Sequence, residues 1–459
     1  MRGVSALQAI TRYLKARGFA CVDDGWYSRI SLWQGWYRGK VPAFHSYRQY
    51  NGRKKVGRER KTLGMAKTIP EDWANLLMNE KVELTIGNKR AEKRILQVLE
   101  DNGFRVRANQ LIEQTFALGT GAFVAYSEHG ETRIDCIRAG MIYPLAWSAG
   151  RVTECAFASE RIDSRRKLVY LNLHRLESGK YVIENHLFVR EGAALREIDL
   201  PDGVLPVHRT GSSVPLFQIL RPNISNNLDP DSPMGLSVYA NAVDQLEGLD
   251  LVYDSYVSEF RLGRKRITVP LSMARVQMEE DGAVTPVFDD NDTEFYAVPE
   301  MQDSDNKITE HNMTLRYEAH EAGVQTALNL LSFKCGMGKD RYNFQDGQVK
   351  TATEVVSEKS DLYQNLKKHE LLLEAAVKGL VRAVAQLEGL NPTGLEIGVN
   401  FDDSIIEDTG AEKLRFLQEI RDGVRQKWEY RVRFLGEDEE TAKAMTEHAD
   451  DDPFGFGGG

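Results

Sequence analysis

Apolar side chains recur at steps of three and four between residues 351 and 388: Leu362, Leu366, Leu373, Val377, Leu380, Val384 and Leu387. Such spacing places one buried stripe along a single uninterrupted α-helix. Thr351 with Glu354 forms a capping box at the start, and Gly389 followed by Asn391-Pro392 marks the stop. At about 1.5 Å per residue the helix would run roughly 57 Å. Its first two turns are more polar and are expected to lie beyond the packed part. A helix longer than a domain is wide must tie separate layers together.

Elsewhere the pattern alternates between helical and strand periods. Residues 70–126 read as helical, with one helix opening at Pro70-Glu71-Asp72 and two more over 89–101 and 105–118. From 122 to about 220 short apolar runs such as FVAYS, ECAFAS, KLVYLNLHRL, YVIENHLFV and FQILR predict a mixed or antiparallel sheet. The next helix is expected over 236–260, with Ser232 as N-cap and Pro233 at the first helical position. A returning helix follows near 308–331. The intervening residues 264–308 have strand character (RKRITVPL, AVTPVFD, TEFYAVPE) but are too few to bury a core alone. Two helices ending in a small β insertion describe a stalk with a tip, stable only beside copies of itself. Beyond 395 come a strand (LEIGVNF), helices at 410–422 and 437–448, and a tail of disordered composition at 450–459. The fold class is α+β.

Charge changes the picture in two places. The net charge of −9 disfavours tight DNA binding by the whole surface, because phosphate neutralisation dominates such affinity. Passage of DNA without adhesion remains compatible with it. Residues 38–67, by contrast, hold ten basic side chains against the single acid Glu59, and Trp26, Tyr27, Trp33, Trp36, Tyr37, Tyr47 and Tyr50 accompany them. Arg53, Lys54, Lys55, Arg58, Arg60 and Lys61 are the candidate contacts to an anionic partner. The plainer alternative is an exposed arm with a Lys/Arg loop. No apolar run reaches the ~20 residues needed to cross a bilayer, and the N-terminus lacks a signal-peptide core, so a soluble, cytosolically made chain is expected. Four scattered cysteines (Cys21, Cys136, Cys155, Cys335) have no metal spacing and are expected as buried thiols.

Catalytic constellations are not evident. His320-Glu321 begins an HExxH-like run, but Val324 stands where the second histidine belongs. Gly336-Met337-Gly338-Lys339 is a fragment of a phosphate loop without its spacing or its Lys-Ser/Thr end. Ser212-Ser213 after Gly211 reads as a turn. Asp229 and Asp231, beside Pro230 and Pro233, read as turn and capping residues; a metal-dependent nuclease using them is the remote alternative. Neither a metal nor a cofactor is expected.

One family gathers these elements. Gly336, Gly338 and Gly347, then Lys350-Thr351-Ala352-Thr353-Glu354-Val355-Val356-Ser357 and a long helix, resemble the tunnel loop and kinked tunnel helix of portal proteins, the head–tail connector subunits of long-tailed bacteriophages. Residues 226–237 (Asn226-Asn227-Leu228-Asp229-Pro230-Asp231-Ser232-Pro233-Met234-Gly235-Leu236-Ser237) are similar to the run entering the stem helix of those proteins.

The resemblance implies an order of parts. It covers residues 70–450 and matches nothing in the first 60 residues. After the N-terminal arm with the basic loop (1–69), which is read from composition alone, it implies a wing (70–235), a stem helix (236–263), a clip (264–308) and a second stem helix (309–331). A tunnel loop (332–350), tunnel helix (351–388), wing strand (389–405), crown helices (406–449) and disordered tail (450–459) follow. It further implies a cyclic ring of about twelve copies at a capsid vertex of the virion, assembled in the host cytoplasm. Double-stranded DNA would pass through it. Its partners would be the terminase large subunit, major capsid and scaffolding proteins and a head-completion or adaptor protein, with no membrane. ATP hydrolysis would belong to the terminase, and this chain would not be an enzyme. Lys339, Arg341 and Lys350 would be mobile cations touching phosphates weakly. Asp244, Glu247, Asp254 and Glu259 would line or flank the channel and keep DNA from sticking. Ordinary solvated surfaces are the alternative for both sets, and another capsid or connector component is the alternative for the whole.

Overall fold

The computed structural model describes residues 4–50, 54–79, 82–163, 166–191, 194–270, 277–278, 284–285, 295–298, 307–343, 352–401, 409–435 and 437–447. Its first layer corrects the expected arm. Helices α1 (Val4–Ala16) and α2 (Asp24–Tyr37) bury Ile10, Leu14, Trp26, Ile30, Trp33 and Trp36. The indoles recur at helical spacing, so they face one side and pack inward. Only after the single turn α3 (Pro42–His45) does the chain stand out, as a hairpin of β1 (Ser46–Tyr50) and β2 (Lys55–Glu59).

Helix α4 (Met65–Leu77) begins five residues before the expected start, with Pro70 inside it. Met65, Ala66 and Ile69 are buried, and their packing outweighs the one backbone bond a proline cannot make. Strand β3 (Glu83–Ile86) precedes α5 (Lys89–Asp101), capped by the Asn88 side chain, and α6 (Phe104–Leu118), both close to their expected ranges.

The sheets follow the alternation. Strands β4 (Gly121–Glu128) and β5 (Glu131–Arg138) form one hairpin. Strands β6 (Ile142–Ser148), β7 (Arg151–Asp163), β8 (Arg166–Glu177), β9 (Lys180–Glu191) and β10 (Ala194–Ile198) form an antiparallel meander, with β11 (Val207–Arg209) added beside β9. Strand β12 (Phe217–Leu220) returns to β4, giving the order β12-β4-β5. Ala122, Val124, Ile142, Cys155, Phe157, Tyr181 and Phe217 form a satellite core where the two sheets meet. Arg17, just after α1, ties that helix to the meander through Glu184 at 2.8 Å.

Helix α7 (Val243–Leu262) leads to β13 (Arg266–Pro270), β14 (Gln277–Met278), β15 (Val284–Thr285), β16 (Phe295–Val298) and β17 (Thr309–His311). Strand β13 pairs in parallel with β16 and antiparallel with β17. Because Thr309–His311 closes this sheet, the returning helix α8 starts at Tyr317 rather than 308 and ends at Lys334. The two helices pack against each other, as a stalk requires.

Helix α9 (Ala352–Leu387) is the spine. Its 36 residues span about 54 Å. Leu362, Leu366, Leu373, Val377, Leu380 and Val384 are all buried against α4, α5, β4 and β12, and Leu387 is half-buried. Gly389, at φ 69°, closes it, with Leu390 N–H reaching Ala385 O at 2.8 Å. The Glu388 carboxylate then takes Arg94 at 2.6 Å and Thr132 at 2.7 Å, which fixes the spine to α5 and β5. The Thr351–Glu354 capping box and the polar first turns lie outside the described side chains. Strand β18 (Ile397–Asn400) pairs with β3.

Helices α10 (Thr409–Arg421), α11 (Lys427–Leu435) and α12 (Glu439–Glu447) follow; α11 was not expected. The tail from 450 lies outside the described residues. All four cysteines are free thiols, Cys155 and Cys335 buried and Cys21 and Cys136 only half-buried.

Candidate functional site

The run before α7 explains itself once its burial is known. Met234, Leu236, Val238, Tyr239 and Ala242 are all buried. A helix would turn some of them to solvent, so the segment stays irregular until α7 begins at Val243, not at 236. Ser232 caps a turn instead of a helix: its hydroxyl accepts from Met234 N–H at 3.3 Å. Asn226 Oδ1 accepts from Leu228 and Asp229 N–H at 3.1 and 3.0 Å, so the Asp229–Asp231 run is turn architecture. No group of three or more potential metal ligands occurs among the described residues.

The acids proposed for the channel divide into two kinds. Asp254 Oδ1 accepts Lys61 N–H at 3.0 Å. Glu259 takes Arg316 through both carboxylate oxygens, at 3.1 and 2.9 Å, and also accepts Arg316 N–H at 3.1 Å. Those hydrogen bonds hold its carboxyl down at about 2. Asp244 and Glu247, one helical turn apart near the start of α7, carry no such engagement among the described residues, and Asp244 is exposed.

A carboxylate not singled out in the sequence does the most work here. Asp250 is buried on α7, where it accepts His45 Nε2 at 3.1 Å and Leu63 N–H at 2.9 Å. Its position was the available signal: four residues after Leu246 and three before Tyr253, it falls on the apolar stripe, and a charge there demands a partner. Together His45, Lys61 and Leu63 tie both ends of the β1–β2 hairpin to α7.

The described start of the glycine-rich loop is rooted at the end of α8. Met337 N–H bonds back to Ser332 O at 3.0 Å and Gly336 N–H to Phe333 O at 3.1 Å, with positive φ at Gly336 and Gly338. That is a helix C-cap, which turns the resemblance to a phosphate loop into an end-of-helix device. Trp73 Nε1 donates to Cys335 O at 3.2 Å and Asn365 to Gly336 O at 3.1 Å, joining α4, α8 and α9 at one point. Tyr342 donates to Asp72 at 2.8 Å, and Arg341 lies 3.7 Å from the same carboxylate. Burial pushes the Cys335 thiol up to about 12. Lys339 is exposed; Lys350 lies outside the described residues. His320 faces Glu259 at 3.5 Å on the stalk, far from any ligand role suggested by its sequence neighbours.

On the basic segment, Arg60 is consumed structurally. Its guanidinium lies 4.5 Å from the Phe44 ring centre and 4.6 Å from that of Tyr47, and it donates to Phe44 O. Lys67 pairs with Glu113 at 2.7 Å and Glu71 at 3.0 Å. Lys54, Lys55, Arg58 and Lys61 are exposed, and Arg53 is outside the described residues.

The described residues define an α+β protein in which two packed helices are joined through a small β sheet and the body is built along one long helix. The family model described as "Phage portal protein, SPP1 Gp6-like" matches residues 23–450, and the chain belongs to that family. The match begins just before α2 and leaves α1 outside. No curated protein matches the chain. No helix among the described residues is long and apolar enough to cross a membrane.

Proposed function

We propose that the chain is the repeating subunit of a closed portal ring at one vertex of a phage capsid, through which double-stranded DNA is packaged and later ejected. The family match over 23–450 carries this reading. In it the two sheets with α4–α6 form the wing, α7 and α8 the stem, β13–β17 the clip, α9 the tunnel helix and α10–α12 the crown. Terminase large subunit, adaptor, capsid and scaffolding proteins are the expected partners. Large apolar side chains left exposed on the stalk support subunit contacts: Leu251, Leu262, Leu330 and Phe333 are 48%, 55%, 57% and 64% exposed. A neighbouring copy would cover them through a heterologous interface, which closes into a ring.

Within the ring, Lys339, Arg341 and Lys350 are proposed to meet phosphates, and Asp244 and Glu247, with Asp254 and Glu259, to keep the channel non-adhesive. Replacing the three cations with Gln is expected to leave rings intact while lowering packaged DNA. Packaging equal to the parent's removes the loop from that role. The purified protein should sediment near 600 kDa, about twelve copies of a 51.9 kDa chain, with an axial hole in negative stain. A monomer under all assembly conditions contradicts the proposal.

A further inference from the structure

The geometry points to a second nucleic-acid contact outside the tunnel loop: the β1–β2 hairpin as a ribbon that enters the groove of a DNA duplex. It adds to the portal reading a named segment that touches the DNA, and its test reads that segment alone.

Among the described residues the ribbon pairs with no other strand. Tyr47 and Val56 alone of its strand residues are half-buried, and the others are exposed. An isolated two-stranded hairpin is marginal in water, yet here its base is clamped. His45 and Leu63 meet Asp250, and Lys61 N–H meets Asp254, so both strands leave α7 from one anchor. Arg60, held between Phe44 and Tyr47, stiffens the same root.

Register then assigns the charges. Arg48 faces Gly57 and Tyr50 faces Lys55, so these four share one side; Arg58 faces Tyr47 and lies on the other. Gly57 has open space where a side chain would stand, which leaves the Arg48 side flat. Tyr50 is 63% exposed beside Lys55. Cations on both faces discriminate between partners. An acidic protein surface would meet one face of a ribbon, and its contact would want an apolar centre, whereas the described strand residues offer only Tyr50 as a large exposed apolar side chain. A duplex groove presents phosphates to both faces at once, and the major groove, about 12 Å wide, admits a two-stranded ribbon. The overall negative charge limits the contact to this local patch and makes it sensitive to salt.

The test compares the full-length protein with the triple variant Arg48→Gln, Lys55→Gln, Arg58→Gln, using a labelled 20-base-pair DNA duplex of mixed sequence and fluorescence anisotropy from 50 to 200 mM salt. All three positions are exposed, and unchanged circular dichroism and ring mass check the fold. Losing three phosphate contacts should lower the log–log salt slope by about 2.7. Across that salt range the parent should therefore lose roughly forty-fold more affinity than the variant. Equal affinity and slope in the two proteins would overturn the assignment while leaving the ring, and so the portal reading, standing. Competition by poly-glutamate as effective as by duplex of equal charge would also overturn it, in favour of an acidic protein partner. An absence of rings with the salt slope still lowered would instead count against the portal reading alone.

Discussion

His174 is enclosed by the satellite core, edge-on to Phe157 and Phe217 at 5.5 and 5.3 Å, and neither ring nitrogen has a hydrogen-bond partner among the described residues. Burial holds its pKa down at about 3, and burial with the Lys368 charge does the same for His369. In the unfolded chain both titrate near 6.5. Between those values the unfolded state binds more protons, so stability is complete above the unfolded pKa and falls as pH drops toward 3. His174→Leu should flatten that dependence by up to one proton, about 1.4 kcal/mol per pH unit, in urea titrations at pH 5, 6 and 7. At pH 7 it should be no less stable, since no partner is orphaned. A slope equal to the parent's would mean the buried ring is already charged. Gly119 makes the opposite case. At φ 85° it lies so close to Gly235 that an added Cβ would sit 2.3 Å from the Gly235 carbonyl oxygen. Gly119→Ala should cost at least about 2 kcal/mol from strain and clash, read as a lower urea midpoint. An unchanged midpoint would show that the two backbones can separate freely.

At the scale of elements, α5, α6 and α9 were legible because each combines a clear stripe with a local stop or cap. Leu373, 4% exposed in the middle of α9, tests the spine. Leu373→Pro should cost about 3 kcal/mol or more from the helix break alone, visible as a large fall in melting temperature. A melting temperature near the parent's would mean that the spine does not bear on the fold. Three starts were not legible, each for its own reason. Helix α4 runs through Pro70 because buried neighbours hold it. The run before α7 looks helical in pattern, but burial on several sides holds it irregular. The first residues of the expected returning helix pair with β13 instead. In each, contacts from distant parts of the chain override a local preference.

The whole molecule is an α+β portal-family protein with large apolar side chains exposed on α7 and α8. Leu330 and Phe333, three residues apart on α8, lie on one exposed face. In the proposed ring, Leu330→Glu with Phe333→Glu should leave the chain folded by circular dichroism and shift it from ring to monomer in mass measurements. Rings of parent mass would place the subunit contact elsewhere. The basic residues were visible in sequence, yet their fate was not. Arg60 and Lys67 proved structural, while Arg48, Lys55 and Arg58 stand on a ribbon, and only register separates them into faces.

Periodicity along the chain was enough to define the spine, the helical layer before the sheets and the strand-rich middle, because amphipathic spacing is a local property. The order of those parts also carried the family. Which carboxylate anchors the basic hairpin, where α7 begins, and why Gly336 and Gly338 end a helix were settled by residues more than a hundred positions apart. His45 meets Asp250, Thr120 meets Gly235, and Trp73 meets Cys335. No window of sequence contains both halves of such a contact, and the free energy of burying a polar group depends on the half that arrives from elsewhere.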